Sequence, residues 1–137
     1  MKSFIVLCIF FTSFLEAAEW NYRQEVRLNK DQYQTVLVRE KEALRVLKFR
    51  WTLYAGDGLV MHLNFNDRAS QFILYEHYKK NAYKVRLLPK TSTYSRVPYL
   101  YLVFKEFDHK TQQAHLDILI DDPEKRALIE VKPLKEN

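Results

Sequence analysis

Two runs of alternating apolar and polar residues, joined by a short turn, are the feature that most constrains the fold of this chain. In residues 45–54 apolar side chains occupy nearly every second position, and residues 59–66 repeat the pattern. A period of two places alternate side chains on opposite faces of a β-strand. The intervening Gly56-Asp57-Gly58 holds both glycines of the chain, and glycine readily takes the positive φ that tight turns require. The segment therefore predicts a β-hairpin.

The same alternation recurs along the rest of the chain. Further strands are predicted at about 70–77, 83–87, 99–107, 114–120 and 127–131. The strands 99–107 and 114–120 form a second predicted hairpin, which turns at Asp108-His109-Lys110. In its second arm Ala114, Leu116, Ile118 and Ile120 are predicted to face the core, and His115 and Asp117 to face away. Strands at this spacing predict an all-β chain, folded as a single antiparallel β-sandwich or partly open barrel of about 7–8 strands.

The N-terminal third of the domain fits two patterns. Tyr33, Val36 and Leu44 recur at helical spacing, which is compatible with a helix from 31 to 47. Residues 34–38, however, are rich in branched side chains that favour extended backbone. We favour strands at about 21–28 and 32–39 over the helix.

The first eighteen residues have the pattern of a secretory signal peptide. Lys2 supplies a positive charge, Ser3–Leu15 is an uncharged apolar run, and Ala17 and Ala18 follow it. Thirteen helical residues rise about 20 Å, which is less than the roughly 30 Å of a bilayer core. The interpretation divides the chain into a signal peptide at 1–18 and one β-rich domain at 19–137. The alternative is an N-terminal anchor that is not cleaved.

Cysteine usage bears on the compartment. Cys8 is the single cysteine and lies within the apolar run, so residues 19–137 contain none. Secreted eukaryotic domains of this size usually carry disulfides, and the sequence has no Asn-x-Ser/Thr glycosylation site. Both features favour a bacterial protein that is exported to the periplasm or secreted.

Several classes of chemistry lack the residues that they need. Two glycines separated by one residue form neither a phosphate-binding P-loop nor a dinucleotide-binding turn. The domain has no thiol for nucleophilic catalysis or for zinc, so no metal and no cofactor is expected. A dispersed hydrolytic site remains as an alternative, and it requires at least two of His62, His77, His115 and Asp117 to converge.

The most distinctive charge feature is a basic stretch from Lys79 to Arg96, which contains six cations and no acid. Lysine and arginine attract anionic groups, and tyrosines add flat contact area. The candidate binding residues are Lys79, Lys80, Tyr83, Lys84, Arg86, Lys90, Tyr94 and Arg96. Solvated lysines that protect a strand edge from aggregation are the alternative interpretation. Within the stretch, Pro89–Pro98 is the longest predicted irregular segment, of a length at which loops are often functional.

These observations predict a non-enzymatic binding or accessory protein of the bacterial envelope. Its expected partner is an anionic lipid, a glycan or an acidic protein. Nucleic acid is not expected, because of the export signal, and no membrane span is expected after the signal is removed. A carrier of a small apolar ligand is a further alternative, since the many aromatic side chains would suit an apolar cavity.

Overall fold

The computed structural model describes residues 20–77 and 80–134. Over these residues the chain is all-β, without a helix, and its strands form two antiparallel sheets that do not close into a barrel. Accordingly, this part of the chain contains no helix with the length and apolar character needed to cross a membrane. The predicted signal peptide lies outside the described residues. The strands are β1 Tyr22–Asn29, β2 Gln34–Glu40, β3 Ala43–Ala55, β4 Gly58–Phe65, β5 Arg68–Tyr75, β6 Ala82–Arg86, β7 Tyr99–Asp108, β8 Gln113–Asp121 and β9 Leu128–Val131.

The order of the strands defines the two sheets. Sheet A has the order β1-β8-β7-β6, and sheet B has the order β5-β4-β3-β2-β9. The all-β prediction is confirmed, as are both predicted hairpins, β3–β4 and β7–β8. The helix from 31 to 47 is not formed, because β2 and β3 pair along their length with Gln34 opposite Phe49. Nine strands are present in the described ranges, more than the 7–8 expected.

Each sheet has one face that contributes to a shared hydrophobic core, called here its inner face. Buried side chains of β1, β7 and β8 in sheet A belong to the same cluster as those of β2, β3 and β4 in sheet B. Trp51 of β3 donates a hydrogen bond from Nε1 to the carbonyl of Leu28 in β1, at 2.8 Å. Its ring also meets the edge of Phe107 from β7, with the ring centroids 5.5 Å apart. Burial of apolar area supplies the general drive, and these contacts align the two sheets.

The two glycines serve different purposes in the β3–β4 turn. Gly56 has a φ of 56°, as the sequence predicts, and Asp57 shares the left-handed conformation with a φ of 62°. Gly58 leaves room for the neighbouring strand: a Cβ there would lie 3.1 Å from side-chain atoms of both Ile73 and Tyr75 on β5, which would have to shift by a few tenths of an ångström. The first glycine therefore serves the turn, and the second permits the close approach of the neighbouring strand.

The face of sheet A that points away from the core also contains buried polar groups. His115 and Asp117 of β8 face away from the core, as predicted, but only 6% and 3% of their surfaces are exposed. Strand β8 lies between β1 and β7, so long side chains of both neighbours cover it. Asp117 Oδ2 lies 3.2 Å from Arg23 Nη2 and 3.7 Å from Lys105 Nζ. His115 Nδ1 lies 3.2 Å from Glu106 Oε1. Burial of a charged group is tolerated when it is paired in this way.

The hydrogen bond between Trp51 and Leu28 gives a test of the packing between the sheets. We expect Trp51→Phe to lower the free energy of unfolding by about 2 kcal/mol, because it removes a buried hydrogen bond to the Leu28 carbonyl and core volume. Urea denaturation followed by circular dichroism measures the change. Leu53→Ala on the same strand is the control, since Leu53 is 54% exposed. An equal loss in both variants would contradict the role given to Trp51.

Candidate binding surface

The structure divides the predicted basic stretch between a strand edge and a loop. Lys80 lies exposed in the turn before β6, and Lys84 and Arg86 project from the exposed face of β6. Among the described strands, β6 pairs with β7 alone, so it forms an edge of sheet A. Lys80, Lys84 and Arg86 are called the β6 rim below. Lys79 lies outside the described residues.

Aromatic rings of sheet A lie beside the β6 rim. The Lys84 ammonium is 3.9 Å from the ring centroid of Tyr99 and 5.7 Å from that of Tyr101, both on β7. Trp20, just before β1, meets Tyr101 edge to face, with 5.0 Å between centroids. A cation over an exposed aromatic ring gains about 0.5–1 kcal/mol. The rings therefore favour a defined position for the Lys84 ammonium without neutralising its charge.

Ion pairing distinguishes the β6 rim from the rest of the outer face of sheet A. Arg23 and Lys105 pair with Asp117, and Arg27 lies 3.6 Å from Glu25. Within the described ranges, no carboxylate forms an ion pair with any of the cations Lys80, Lys84, Arg86, Lys90 and Arg96. In the part of the chain that the structure describes, the basic side chains of β6 and of the loop that follows it thus have no carboxylate partner.

Tyr83 does not share the orientation of its basic neighbours. Because side chains alternate along β6, Tyr83 points towards the core side, where it stacks on Phe72 of β5. The ring centroids are 3.7 Å apart and the planes are nearly parallel, at 5°. The stack joins the β6 edge of sheet A to the β5 edge of sheet B. Tyr83 therefore packs the two sheets together and does not present its ring beside Lys84.

The irregular segment between β6 and β7 is held in place by an acidic side chain from the loop before β9. Glu124 Oε1 accepts hydrogen bonds from Ser95 Oγ, Ser95 N and Arg96 N, at 2.5, 3.1 and 3.0 Å. These bonds, led by that from the Ser95 hydroxyl, hold the pKa of Glu124 below its usual range. The predicted irregular conformation of Pro89–Pro98 is confirmed, and the segment is anchored in place.

Arg126 provides the second anchor of this loop. Its side chain is only 1% exposed and pairs with Glu40 at 3.0 Å. It donates to the carbonyls of Pro89 and Arg96, at 3.1 and 3.5 Å, and its guanidinium lies 4.6 Å from the centroid of the Tyr94 ring. Tyr94 is consequently half-buried beneath Arg126. The side chains of Lys90 and Arg96 are exposed on the same loop.

The residues named for a dispersed hydrolytic site occupy different parts of the domain. His115 and Asp117 lie on the outer face of sheet A. His62 lies on the outer face of sheet B, where it contacts Thr52 Oγ1 at 3.0 Å. His77 is exposed in the turn after β5, 3.7 Å from Glu76. Over the described residues, no group of three or more histidine, cysteine or acidic side chains is arranged to hold a metal.

A cleft of about 470 Å³ opens where β3 ends. Tyr54 and Phe107 stack there with centroids 4.0 Å apart, and His109 meets the edges of both rings. Burial is the main cause that raises the pKa of Tyr54 to about 12, with the nearby charges of Glu76 and Asp57 adding to it. The phenol therefore stays protonated at neutral pH and acts here as a hydrogen-bonding and packing group.

Trp20, Tyr99 and Tyr101 are members of the surface that the predicted binding residues omit. All three lie outside the stretch from 79 to 96, and strand pairing brings them close to Lys84. The register of the β6–β7 pair places Lys84 opposite Tyr101, and that of β7–β8 places Tyr101 opposite Leu119. The alternation of β7 puts Tyr99 and Tyr101 on one face, but the sequence does not reveal which strand lies beside them.

Comparisons with protein-family models, with curated protein sequences and with solved structures find no match to this chain.

Removal of the Arg126 side-chain charge tests the anchoring of the loop. We expect Arg126→Met to lower the free energy of unfolding by about 3 kcal/mol, because Glu40 and two loop carbonyls lose their partner. We also expect trypsin to cut faster after Lys90 and Arg96, as read by mass spectrometry of the fragments. Lys125→Met is the matched control on an exposed neighbour. Unchanged cleavage in Arg126→Met would contradict the anchor.

The lowered pKa of Glu124 predicts a pH-dependent contribution to stability. A carboxylate whose pKa is lower in the folded state stabilises the fold at pH values above its unfolded pKa, and this contribution is lost as the pH falls through the folded pKa. We expect the free energy of unfolding of wild type to exceed that of Glu124→Gln at pH 7, and the difference to vanish in acid below the folded pKa. Urea denaturation at a series of pH values measures it. Glu42→Gln, on an exposed turn, should unfold with the same free energy as wild type at pH 7. If the difference between wild type and Glu124→Gln persists in acid, the ionic explanation is excluded.

Proposed function

We propose that this chain is a non-enzymatic binding protein of the bacterial envelope that contacts an anionic envelope component or an acidic partner protein through the β6 rim. The observation that carries the proposal is the charge of Lys80, Lys84 and Arg86, which have no carboxylate partner, beside the half-buried rings of Tyr99 and Tyr101. Asp121 lies beyond Tyr99 on the same face, so the basic region has an acidic border.

The chemistry of the rim suits an anionic partner with flat or apolar groups. Cationic side chains attract carboxylates, sulfates and phosphates over several ångströms, and tyrosine and tryptophan rings provide broad amphipathic contact area. Lys84 is already positioned over Tyr99 at 3.9 Å, so part of the entropy cost of ordering its long side chain on binding is already met. Lys90 and Arg96 extend the same charge into the anchored loop.

Two further observations support the proposed compartment and the proposed architecture. The charged start, apolar run and small residues at 1–18 support cleavage as a signal peptide and export to the periplasm. The single core to which both sheets contribute supports a face-to-face β-sandwich as the architecture. A packed domain without disulfides can fold in the cytoplasm or in the periplasm. The proposed signal peptide favours the periplasm.

Charge reversal tests the β6 rim. We expect the triple variant Lys80→Glu, Lys84→Glu, Arg86→Glu to elute from an immobilised acidic polymer, such as polyglutamate, at much lower salt than wild type. The physical reason is that unpaired cations supply the attraction, whereas cations already paired within the protein contribute little. The salt concentration at elution is the measurement.

A second triple variant controls for net charge. Lys30→Glu, Lys41→Glu, Lys110→Glu reverses three exposed cations in other turns of the domain, and therefore changes the formal charge by the same amount. Its elution should lie between those of wild type and the rim variant. Equal loss of retention in both triple variants would refute a localised binding surface.

A further inference from the structure

The outer face of sheet B carries the exposed apolar side chains of the domain. Large hydrophobic residues that are 38–75% exposed in the described part of the chain are Tyr33, Leu44, Val46, Leu53, Ile73 and Leu128. Five of them project from the outer face of sheet B, and Tyr33 directly precedes β2 of the same sheet. The described part of sheet A has no residue in this set. Such a concentration on one face indicates an interaction surface.

Strand pairing arranges these residues in rows. Leu44 and Leu128 both lie beside Arg39, one on each neighbouring strand. Val46 lies beside Leu37, in the adjacent row. At the other end of the sheet, Leu53, Val60 and Ile73 form a third row across β3, β4 and β5. The apolar groups are therefore spread over the whole sheet face and are not gathered into one central cluster.

An open groove of about 1000 Å³ runs along this face. Tyr33, Leu44 and Val46 provide its apolar lining. Its charged lining consists of Arg45, Lys48, Lys132, Asp31 and Asp67. Asp31 already pairs with Arg50 at 3.5 Å, whereas none of the three lining cations forms an ion pair with a carboxylate in the described ranges.

The charges of the whole face favour an anionic partner. Its cations are Arg39, Lys48, Arg50 and Lys132, and its acids are Asp31, Asp67 and Glu130. Cations therefore outnumber acids by one. Lys48, Arg50 and Lys132 lie between the apolar rows, and Arg39 lies within the row of Leu44 and Leu128. Arg50 has its guanidinium 5.1 Å from the centroid of the Tyr33 ring, which places a cation and an aromatic ring side by side at the groove edge.

We propose that the outer face of sheet B docks on an anionic lipid bilayer. The exposed apolar side chains of the rows, Leu44, Val46, Leu53, Ile73 and Leu128, enter the interfacial layer, and Arg39 and Lys48 contact the headgroups. Peripheral proteins bind bilayers by combining buried apolar area with attraction of basic side chains to anionic lipids. A plane contacts separated rows simultaneously, whereas a protein partner typically depends on a few clustered, fully buried residues. The spread of the apolar rows therefore favours a lipid surface over a protein.

This proposal concerns a different surface from the β6 rim. The outer faces of the two sheets point away from each other, because their inner faces share the core. A bilayer that contacts Leu44 and Leu128 leaves Lys84 and Tyr99 open to solution. The proposed lipid contact therefore stands or falls independently of the proposed function of the β6 rim.

A site-specific probe identifies the face that meets the lipid. The full chain carries Cys8→Ser together with one new cysteine, introduced as Leu128→Cys, Arg86→Cys or Lys110→Cys, and each is labelled with a polarity-sensitive fluorophore. The vesicles contain equal parts of phosphatidylcholine and phosphatidylglycerol, with a quencher attached to the acyl chains. All three proteins share the same N-terminal apolar run, so differences between them report the docking face alone.

We expect quenching of the label at 128 to exceed that at 86 and at 110 by at least about twofold. Equal quenching at the three positions, stronger quenching at 86, or no quenching at all would overturn the proposal. Exposed positions were chosen for all three labels, so that each substitution leaves the core intact.

A binding measurement with unlabelled full chain provides the second arm. We expect Leu44→Ser, Leu128→Ser, Lys48→Glu to bind phosphatidylglycerol-containing vesicles about tenfold more weakly than wild type in co-sedimentation. Binding to pure phosphatidylcholine vesicles is subtracted from each value. The control Lys110→Glu, Lys125→Glu should retain most of the binding. Wild-type affinity in the sheet B variant, or an equal loss in the control, would overturn the proposal.

Discussion

A β-sheet of this domain can bury only one face in the shared core, and this constraint determines where the candidate residues on its strands lie. The inner faces combine in a single hydrophobic cluster, which Trp51 spans by its hydrogen bond to the Leu28 carbonyl. Polar and charged residues at alternate positions are thereby directed to the outer faces. Because side chains alternate along each pleated strand, a sequence pattern with a period of two gives every sheet an apolar inner face and a separate outer face.

The two outer faces stabilise their charges in different ways. On sheet A, Asp117 is nearly buried and paired with Arg23 and Lys105, and Arg27 is paired with Glu25, so the cations at the centre of that face have carboxylate partners. Its β6 edge retains free cations, of which Lys84 lies against tyrosine rings. Sheet B instead exposes leucine and valine side chains between its cations. Edge lysines also discourage strand-to-strand aggregation, and this protective role is compatible with binding by the same residues.

The sequence pattern predicts the class of fold and most strand positions, because alternation and turn residues act locally. The β3–β4 hairpin follows directly from its two alternating runs and from Gly56. Pairing between distant strands has no such local signal. The sequence gives no indication that β1 lies beside β8, and the burial of His115 and Asp117 depends on that neighbour. Tyr83 illustrates the same limit, since its basic neighbours suggest a surface role while the strand alternation directs its ring towards Phe72.

The anchored loop shows how a segment without regular structure becomes part of a surface. Proline at both ends and several hydroxyl side chains predict an irregular conformation for Pro89–Pro98, but not whether it is held. The holding groups, Glu124 and Arg126, come from a loop about thirty residues later in the chain. Arg126 donates a hydrogen bond to the Arg96 carbonyl, and the Arg96 amide donates one to Glu124. These bonds hold the backbone of Arg96 in place, while the Arg96 side chain stays exposed. A fixed backbone reduces the entropy lost when Lys90 and Arg96 engage a partner, so the anchor and the charge act together.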